Sequence, residues 1–509
     1  AALPVAAIQA DLLAALDAHD VVVVGGDTGC GKTTQVPQFL LDAAIEKGTG
    51  GGTRILITQP RRIAAVSVAD RVAAERGQPP PGAPGGVVGH HVRLDPAHTR
   101  ATRLLFCTTG ILLRRLAGDP ALGDVSHVIL DEVHERGLQS DFALALLRRL
   151  VPARRAAGRP LKLVLMSATL DASLFANYFG GAPSLAAAGR THPVEIKFLE
   201  DAHAAVGYRL APDSRACLRE TGKSFDRKRL EKAAGGRAAA VAAGWGDDAR
   251  DGPPLNRFFD AADFAAHPPF VAANMARLDE MVVDLDLIEE LVAHIDAEAG
   301  ADDDGAVLVF LPGFADIASL ADRLSALPPA CRDGRWRIVC LHSSVSGADQ
   351  RQAFVRPPAG VRKIVLATNI AETSLTIDDV VYVIDAAKVK ERRHDAGRGM
   401  SLLCEDFVSR AGARQRAGRA GRVRPGVCYT LVTKRRHNTR LRAFQAPEMV
   451  RVPLEELVLQ IHALGVGPAA AFLAGCVEPP PSKGTMWDGS WLVMCGGWPT
   501  SPTPLLYLP

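Results

Sequence analysis

The sequence predicts an α/β protein of two blocks, each a mostly parallel sheet flanked by helices. Three observations predict it. Short apolar runs alternate with helix-compatible stretches over residues 1–190, and a second such set follows within 191–440. The runs are apolar on both faces, as strands covered by helices on both sides must be. Only the first block carries a glycine-rich loop between its first run and the helix behind it, so the blocks are two lobes closing on one ligand rather than copies of one site.

In the first block the predicted strands are VVVVG, Ile55 to Thr58, Leu104 to Cys107, Val128 to Leu130 and Lys162 to Met166, and QPPPGAPGG is a loop. A strand-like PVEIKFLED follows from about 191. Residues 201–280 are rich in Ala, Gly, Arg and Asp, with little strand signal. They read as a flexible insertion with helices at its edges. Order returns with a helical VDLDLIEELVAHIDAEA. Strands are then expected at Ala306 to Leu311, Arg337 to Leu341, Lys363 to Ala367, Val380 to Asp385 and Val427 to Val432. Two strand-like arms around Asp395 to Gly399 make a hairpin. Residues 441–480 read as a helical piece, and the Trp-, Pro- and Gly-rich 481–509 as a divergent tail without periodicity.

Net charge is only +3 over 509 residues, so any nucleic-acid surface is local rather than global. No apolar run reaches the roughly 18 residues of a membrane span. The nine cysteines form no C-x-x-C pair, which argues against a zinc site and a disulfide framework. A reducing interior, cytoplasm or nucleus, is the expected location. The chain begins at Ala1 with no targeting signal in view.

The chemistry starts at GDTGCGKTT, Gly26 to Thr34, which matches G-x-x-x-x-G-K-[ST] between a strand and a helix. Glycines let backbone amides curl around an anion, and the helix N-terminus adds its positive end. Lys32 reaches toward the β- and γ-phosphates of a nucleotide, and the Thr33 hydroxyl is a Mg²⁺ ligand. Downstream, HVILDEVHERG ends a buried strand at Asp131 and Glu132. Asp131 is placed to hold Mg²⁺ through water, and Glu132 to polarise the attacking water. In SRAGARQRAGRAGR, Arg416, Arg419 and Arg422 recur every three residues, roughly one helix face, beside Gln415. Alone, an Arg-rich helix is a solvated or nucleic-acid-facing surface. Beside a P-loop, a Gln that orients water and Args that meet a γ-phosphate complete a catalytic set.

Together, GDTGCGKTT, TQPRRIAAVSVADRV, TTG, DEVH, SAT, FLPG, LHS, ATNIAETSLTIDDV and QRAGRAGR resemble, in order, the superfamily 2 DEAH/RHA helicases over about residues 1–475. Val133 points to the DEVH-type subgroup. The resemblance implies two tandem RecA-like domains, the start of a winged-helix domain over 441–480, and ATP-driven 3′-to-5′ translocation on RNA. It extends the nucleotide set to Gly26, Asp27, Thr28, Gly29, Cys30, Gly31, Lys32, Thr33 and Thr34, with Arg71 and Phe354 around the base and Asp378 at the ribose or the arginines. By the same resemblance, His134 links nucleotide state to the second lobe, and Ser167 and Thr169 couple hydrolysis to RNA grip. Arg61, Arg62, Thr108, Thr109, Gly110, Thr368, Asn369 and Thr373 match RNA-backbone contacts. Taken alone, each Thr is a turn or cap residue and Phe354 a core residue. The implied ligands are ATP, Mg²⁺ and single-stranded or structured RNA. Protein activators are expected partners of a monomer.

Two departures are visible. Asp27 replaces the family's Glu, keeping the charge on a shorter arm. After about residue 480 the match stops, and the expectation is an incomplete C-terminus, lacking the family's ratchet-like and OB-type domains. Two other functions fit the same residues: an RNA-stimulated ATPase acting as a clamp without unwinding, and a DNA helicase, since backbone contacts separate the two sugars only through the 2′-hydroxyl.

Overall fold

The computed structural model describes residues 3–27, 29–168, 172–189, 192–218, 256–300, 303–342, 344–345, 350, 352–372, 377–395 and 400–480. The first lobe holds β1 (Val21–Gly26), β2 (Ile55–Gln59), β3 (Val88–Val92), β4 (Asp95–Ala97), β5 (Leu104–Thr108), β6 (His127–Leu130), β7 (Lys162–Ser167) and β8 (Ser184–Ala187). They assemble in the order β4-β3-β5-β2-β6-β7-β1-β8, parallel except for β4 against β3. The second lobe holds β9 (Val194–Lys197), β10 (Ala306–Phe310), β11 (Trp336–Leu341), β12 (Arg362–Ala367), β13 (Val380–Asp385) and, after the hairpin, β16 (Gly426–Thr430). Its sheet runs β11-β12-β10-β13-β16-β9, parallel throughout. These are the two RecA-like lobes, and the chain passes from one to the other between Ala187 and Val194.

The alternation of side chains along a strand explains why these segments read as unbroken apolar runs. In β1, Val22 and Val24 face one core and Val23 the other; in β7, Val164 and Met166 oppose Leu163 and Leu165. The second sheet repeats this with Val307 and Val309 on one face and Leu308 and Phe310 on the other. Two strands have no such pattern. β3 reads VGHHV and β8 reads SLAA, and neither was expected.

The stretch 201–280 has helices at its edges, as expected. The helices Leu199–Val206 and Pro269–Arg277 place Leu199, Ala202, Val271 and Met275 in the second lobe's core. Residues 219–255 lie outside the described residues. One correction concerns the Arg-rich motif. The helix of the Arg-rich motif stops at Ala417, so Arg419 and Arg422 lie beyond it and do not share a helix face with Arg416. Gly418 and Gly421 follow, each costing a helix about 1 kcal/mol relative to Ala. A Cβ on Gly421 would lie 2.5 Å from the His192 carbonyl oxygen, so only glycine fits there. The helical piece after 446 packs against the first lobe. Its helices Glu455–Ala463 and Ala469–Leu473 share a core with the first lobe. Phe472 meets Phe142 edge-on at 5.4 Å, and the Tyr178 hydroxyl donates to Gly475 O at 2.7 Å.

The hairpin forms from β14 (Lys388–Asp395) and β15 (Met400–Phe407), antiparallel from Lys388↔Phe407 to Asp395↔Met400. Its tip lies outside the described residues.

Candidate nucleotide and nucleic-acid site

The first-lobe motifs fall at the C-terminal ends of parallel strands, where α/β sheets bind ligands. β1 leads into the loop before the helix Lys32–Glu46, β2 into Arg61 and Arg62, β5 into Thr108 to Gly110, and β6 into Asp131 and Glu132. β7 ends at Ser167, which is fully buried and paired in register with Gly25. Gly29 and Gly31 take left-handed φ values of 88° and 94°, and nothing lies within 4 Å of a Cβ built on Gly29. The loop is therefore open where an anion would approach. Lys32 Nζ donates to the carbonyls of Gly26 (2.5 Å) and Asp27 (3.2 Å), holding the loop closed on itself. Cys30 is buried, while Thr34 donates to Gly31 O at 3.4 Å. Thr28 lies outside the described residues.

Thr33 Oγ1 donates to Asp131 Oδ2 at 2.7 Å, and Gln59 Nε2 donates to the same oxygen at 2.7 Å. Asp131 Oδ1 accepts from the Glu132 N–H at 2.8 Å. Burial and the adjacent Glu132 push the Asp131 carboxyl up to about 6. Glu132 is buried in a left-handed conformation, φ 55°, with its Oε2 unbonded among the described residues. Burial raises its pKa too, against the opposing charge of Lys32. Two adjacent buried carboxyls beside the Thr33 hydroxyl suit a divalent cation. A Mg²⁺ taking one hydroxyl and one carboxylate fills its shell with water and phosphate oxygens. No group of three or more His, Cys, Asp or Glu converges among the described residues, and this donor set needs none.

One consequence is measurable. The Asp131 pKa rises from 3.8 unfolded to about 6 folded, so the folded chain binds this proton more tightly. The penalty for ionising it is absent below about pH 4, grows through pH 6, and is full above, worth about 3 kcal/mol at most. Stability of the ligand-free chain from this group therefore falls as pH rises through that window. Denaturant midpoints of wild type and Asp131→Asn should converge near pH 4, with the variant the more stable at pH 7. A constant difference between them contradicts this assignment.

The second lobe closes the site. His134 is part-buried and its Nδ1 accepts from the Ala168 N–H at 3.2 Å, while Nε2 lies 2.9 Å from the Gln415 side-chain amide. Burial keeps the ring neutral by lowering its pKa. Because Nδ1 accepts, a neutral ring carries its proton on Nε2, which the Gln415 side-chain amide would meet with its oxygen. His134 thus spans from the segment after β7 to the other lobe. Arg61 adds a second bridge, donating to Ile370 O at 3.4 Å and pairing with Glu135 at 3.4 Å. It is an interlobe contact in this arrangement, not a residue of open surface. Ile63 packs on the second lobe's core.

Arg419 is buried, and burial with the neighbouring charge of Arg422 pushes its guanidinium well below the usual range, against the pull of Glu132. Burial takes Arg422 down to about 10, opposed by Asp378 and Glu132. Asp378 also acts on Arg71, so its charge reaches both lobes. Two guanidiniums beside Glu132 are a fitting counterpart to a triphosphate. Arg416, by contrast, is structural: it bonds Asp385 at 2.7 Å and Glu372 at 2.9 Å inside the second lobe.

Phe354 is 37% exposed, so core packing does not account for it, and Arg71 is exposed beside Glu75. Thr108 and Thr368 hold N-cap positions, yet neither side chain makes the cap hydrogen bond. Arg62 and Asn369 are exposed, while Thr109 is buried, with Gly110 against Gln139. Thr169 and Thr373 lie outside the described residues. Gln59, Glu135 and Glu372 were not singled out from sequence. Their motifs TQPRR, DEVHERG and ATNIAETS were in view, but only the fold shows which carboxylate or guanidinium each meets.

Two RecA-like lobes facing each other across a phosphate loop and a buried Asp-Glu pair define a two-lobed P-loop protein. The chain matches the DEAD/DEAH box helicase family over residues 6–176 and the helicase conserved C-terminal domain over residues 286–424. It belongs to the DEAD/DEAH-box helicases, in their DEAH/RHA group. Among curated relatives, it is 48% identical over 486 residues to the Arabidopsis thaliana DExH-box ATP-dependent RNA helicase DExH4, chloroplastic, covering 94% of this chain and 33% of that one. It is 42% identical to the human ATP-dependent DNA/RNA helicase DHX36, covering 95% of this chain and 46% of that one. The crystal structure of the Escherichia coli DEAH/RHA helicase HrpB aligns with TM-score 0.68 and 31% identity, over 94% of this chain and 48% of that one. The chain therefore spans a third to a half of the length of these relatives.

Proposed function

We propose that this chain is the motor core of an ATP-dependent RNA helicase, coupling ATP hydrolysis to 3′-to-5′ translocation on structured RNA and its unwinding. The observation that carries the reading is His134, one ring bonded to Ala168 of the first lobe and to Gln415 of the second. A ring so placed makes the hydrolysis site and the lobe arrangement one equilibrium.

In this reading Gly26 to Thr34 cradle the phosphates, with Lys32 leaving its loop carbonyls for the β- and γ-phosphates. Thr33 and Asp131 hold Mg²⁺, which supplies charge neutralisation when bound. Glu132 orients and deprotonates water, Gln415 helps to place it, and Arg419 and Arg422 meet the γ-phosphate. Arg71, Phe354 and Asp378 take the base and ribose. Ser167 and Thr169 pass the change to the RNA contacts Arg61, Arg62, Thr108, Thr109, Gly110, Thr368, Asn369 and Thr373. The helices after Leu454 begin a winged-helix region in this reading, and the domain limits are those of the sequence, 1–190, 191–440 and 441–480.

The test is ATP hydrolysis with and without RNA, beside strand separation of 3′- and 5′-tailed duplexes. RNA-stimulated hydrolysis with unwinding of the 3′-tailed duplex is expected. Hydrolysis without strand separation would favour the clamp. Equal stimulation by DNA would favour the second reading, which the name of the human relative, a DNA/RNA helicase, supports. For location the reading is cytoplasm or nucleus, and the relative named chloroplastic makes a plastid the alternative that imaging of a tagged chain distinguishes. Among the described residues no helix is long and apolar enough to cross a membrane.

A further inference from the structure

We propose that Glu448, from the segment after the second lobe, is a positioning residue for the catalytic Glu132. The inference rests on the hydrolytic reading above.

The DEVHERG segment is an unusual piece of backbone. The 3₁₀ turn Val133–Glu135 is bracketed by two left-handed non-glycine residues, Glu132 at φ 55° and Arg136 at φ 50°. Such conformations persist only when the surroundings over-determine them, and they gather at functional sites. The front of the turn is held within the site, by Asp131 accepting from the Glu132 N–H and by His134 accepting from Ala168. The rear is held by the C-terminal segment. Glu448 N–H donates to Arg136 O at 3.0 Å, and Glu448 Oε2 accepts from the Leu138 N–H at 2.8 Å. The two bonds straddle Gly137, the N-cap of the helix Leu138–Ala156.

Leu138 is the first residue of that helix, so its N–H has no partner within it, and a carboxylate there also meets the positive end of the dipole. The Arg136 guanidinium pairs with buried Asp141 at 3.0 Å and with Glu478 at 3.4 Å, a second contact from the same C-terminal segment. That segment is anchored on the same helix through Phe472 and Phe142. A displacement of the C-terminal helices therefore reaches Glu132 through three residues of stiff backbone. The position of the C-terminal helices would therefore set the turnover of the site without touching the nucleotide.

The test uses Glu448→Ala, which keeps the backbone bond to Arg136 and removes the side-chain bond to Leu138 together with the 3.6 Å ion pair to Arg451, and Glu448→Gln, which retains an acceptor oxygen for Leu138. Arg136 is unsuitable, since its loss strands a buried Asp141. RNA-stimulated kcat is expected to fall about tenfold in Glu448→Ala, with affinity for a fluorescent ATP analogue unchanged and most of the turnover restored in Glu448→Gln. Unchanged turnover in Glu448→Ala overturns the inference. So does a loss shared equally by Glu448→Gln, or one confined to KM. Absence of hydrolysis in the wild type overturns the helicase reading, and this inference with it.

Discussion

Glu132→Gln is expected to lower RNA-stimulated ATP turnover by about three orders of magnitude while leaving ATP affinity within a few-fold of wild type. A positioned general base contributes about 10²- to 10⁴-fold, and three orders correspond to about 4 kcal/mol of barrier. The structure argues for the upper half of that range. Glu132 Oε2 has no hydrogen-bond partner among the described residues, and burial raises its proton affinity. An oxygen in that state is free to take a proton from water. Gln has the same shape but no basic oxygen, so the left-handed backbone and its hydrogen bond to Asp131 survive. Turnover by phosphate release and affinity by fluorescent-nucleotide titration separate the two effects. A fall in affinity with turnover preserved would show that Glu132 holds the nucleotide rather than acting on water.

The second large effect is expected from Arg419→Ala, about three orders of magnitude in turnover, the lower end of what an arginine meeting a transferring phosphoryl group provides. The sign of its effect on stability distinguishes a catalytic from a structural arginine. Arg419 is buried, with its guanidinium destabilised by burial and by Arg422, so its charge is a cost to the ligand-free fold. Removing it should leave the unfolding midpoint of the ligand-free chain unchanged or raised, although it donates to the Glu372 carbonyl. Arg416 is the internal control. Its two carboxylate partners, Asp385 and Glu372, raise its pKa against burial, and Arg416→Ala strands both of them. That variant should lose several kcal/mol of stability, about what a broken buried pair costs.

Sequence and structure agree where one local rule decides the outcome. The strands β1, β2, β5, β6 and β7 and the phosphate loop were legible because runs apolar on both faces, followed by G-x-x-x-x-G-K-T, leave little choice of conformation. The hairpin was legible from its arms and its glycine-containing tip. What was not legible depends on partners far away in sequence. The triplet spacing of Arg416, Arg419 and Arg422 suggested one helix face, but Gly418 and Gly421 end the helix and send the three side chains to different places. One neutralises Asp385 and Glu372, while the other two turn toward Glu132. The helices after Leu454 were legible as helices but their packing was not, because amphipathicity says which face is buried, not against what. They complete the first lobe's core. Arg61 fitted an RNA contact by motif and forms an interlobe bond by geometry. Gln59 sat in a quoted motif with no role of its own, and Glu448 carried no signal, since a single polar residue acquires meaning only from the group it is folded against.

The central claim is that one hydrolytic site is built from both lobes, and the double variant Glu132→Gln/Arg419→Ala tests it most directly. Residues that act as a unit on one reaction are non-additive. If Glu132 of the first lobe and Arg419 of the second serve the same transition state, turnover of the double variant should be no lower than that of the weaker single variant. Losses that multiply, about six orders of magnitude together, would mean two independent effects and would contradict a shared site.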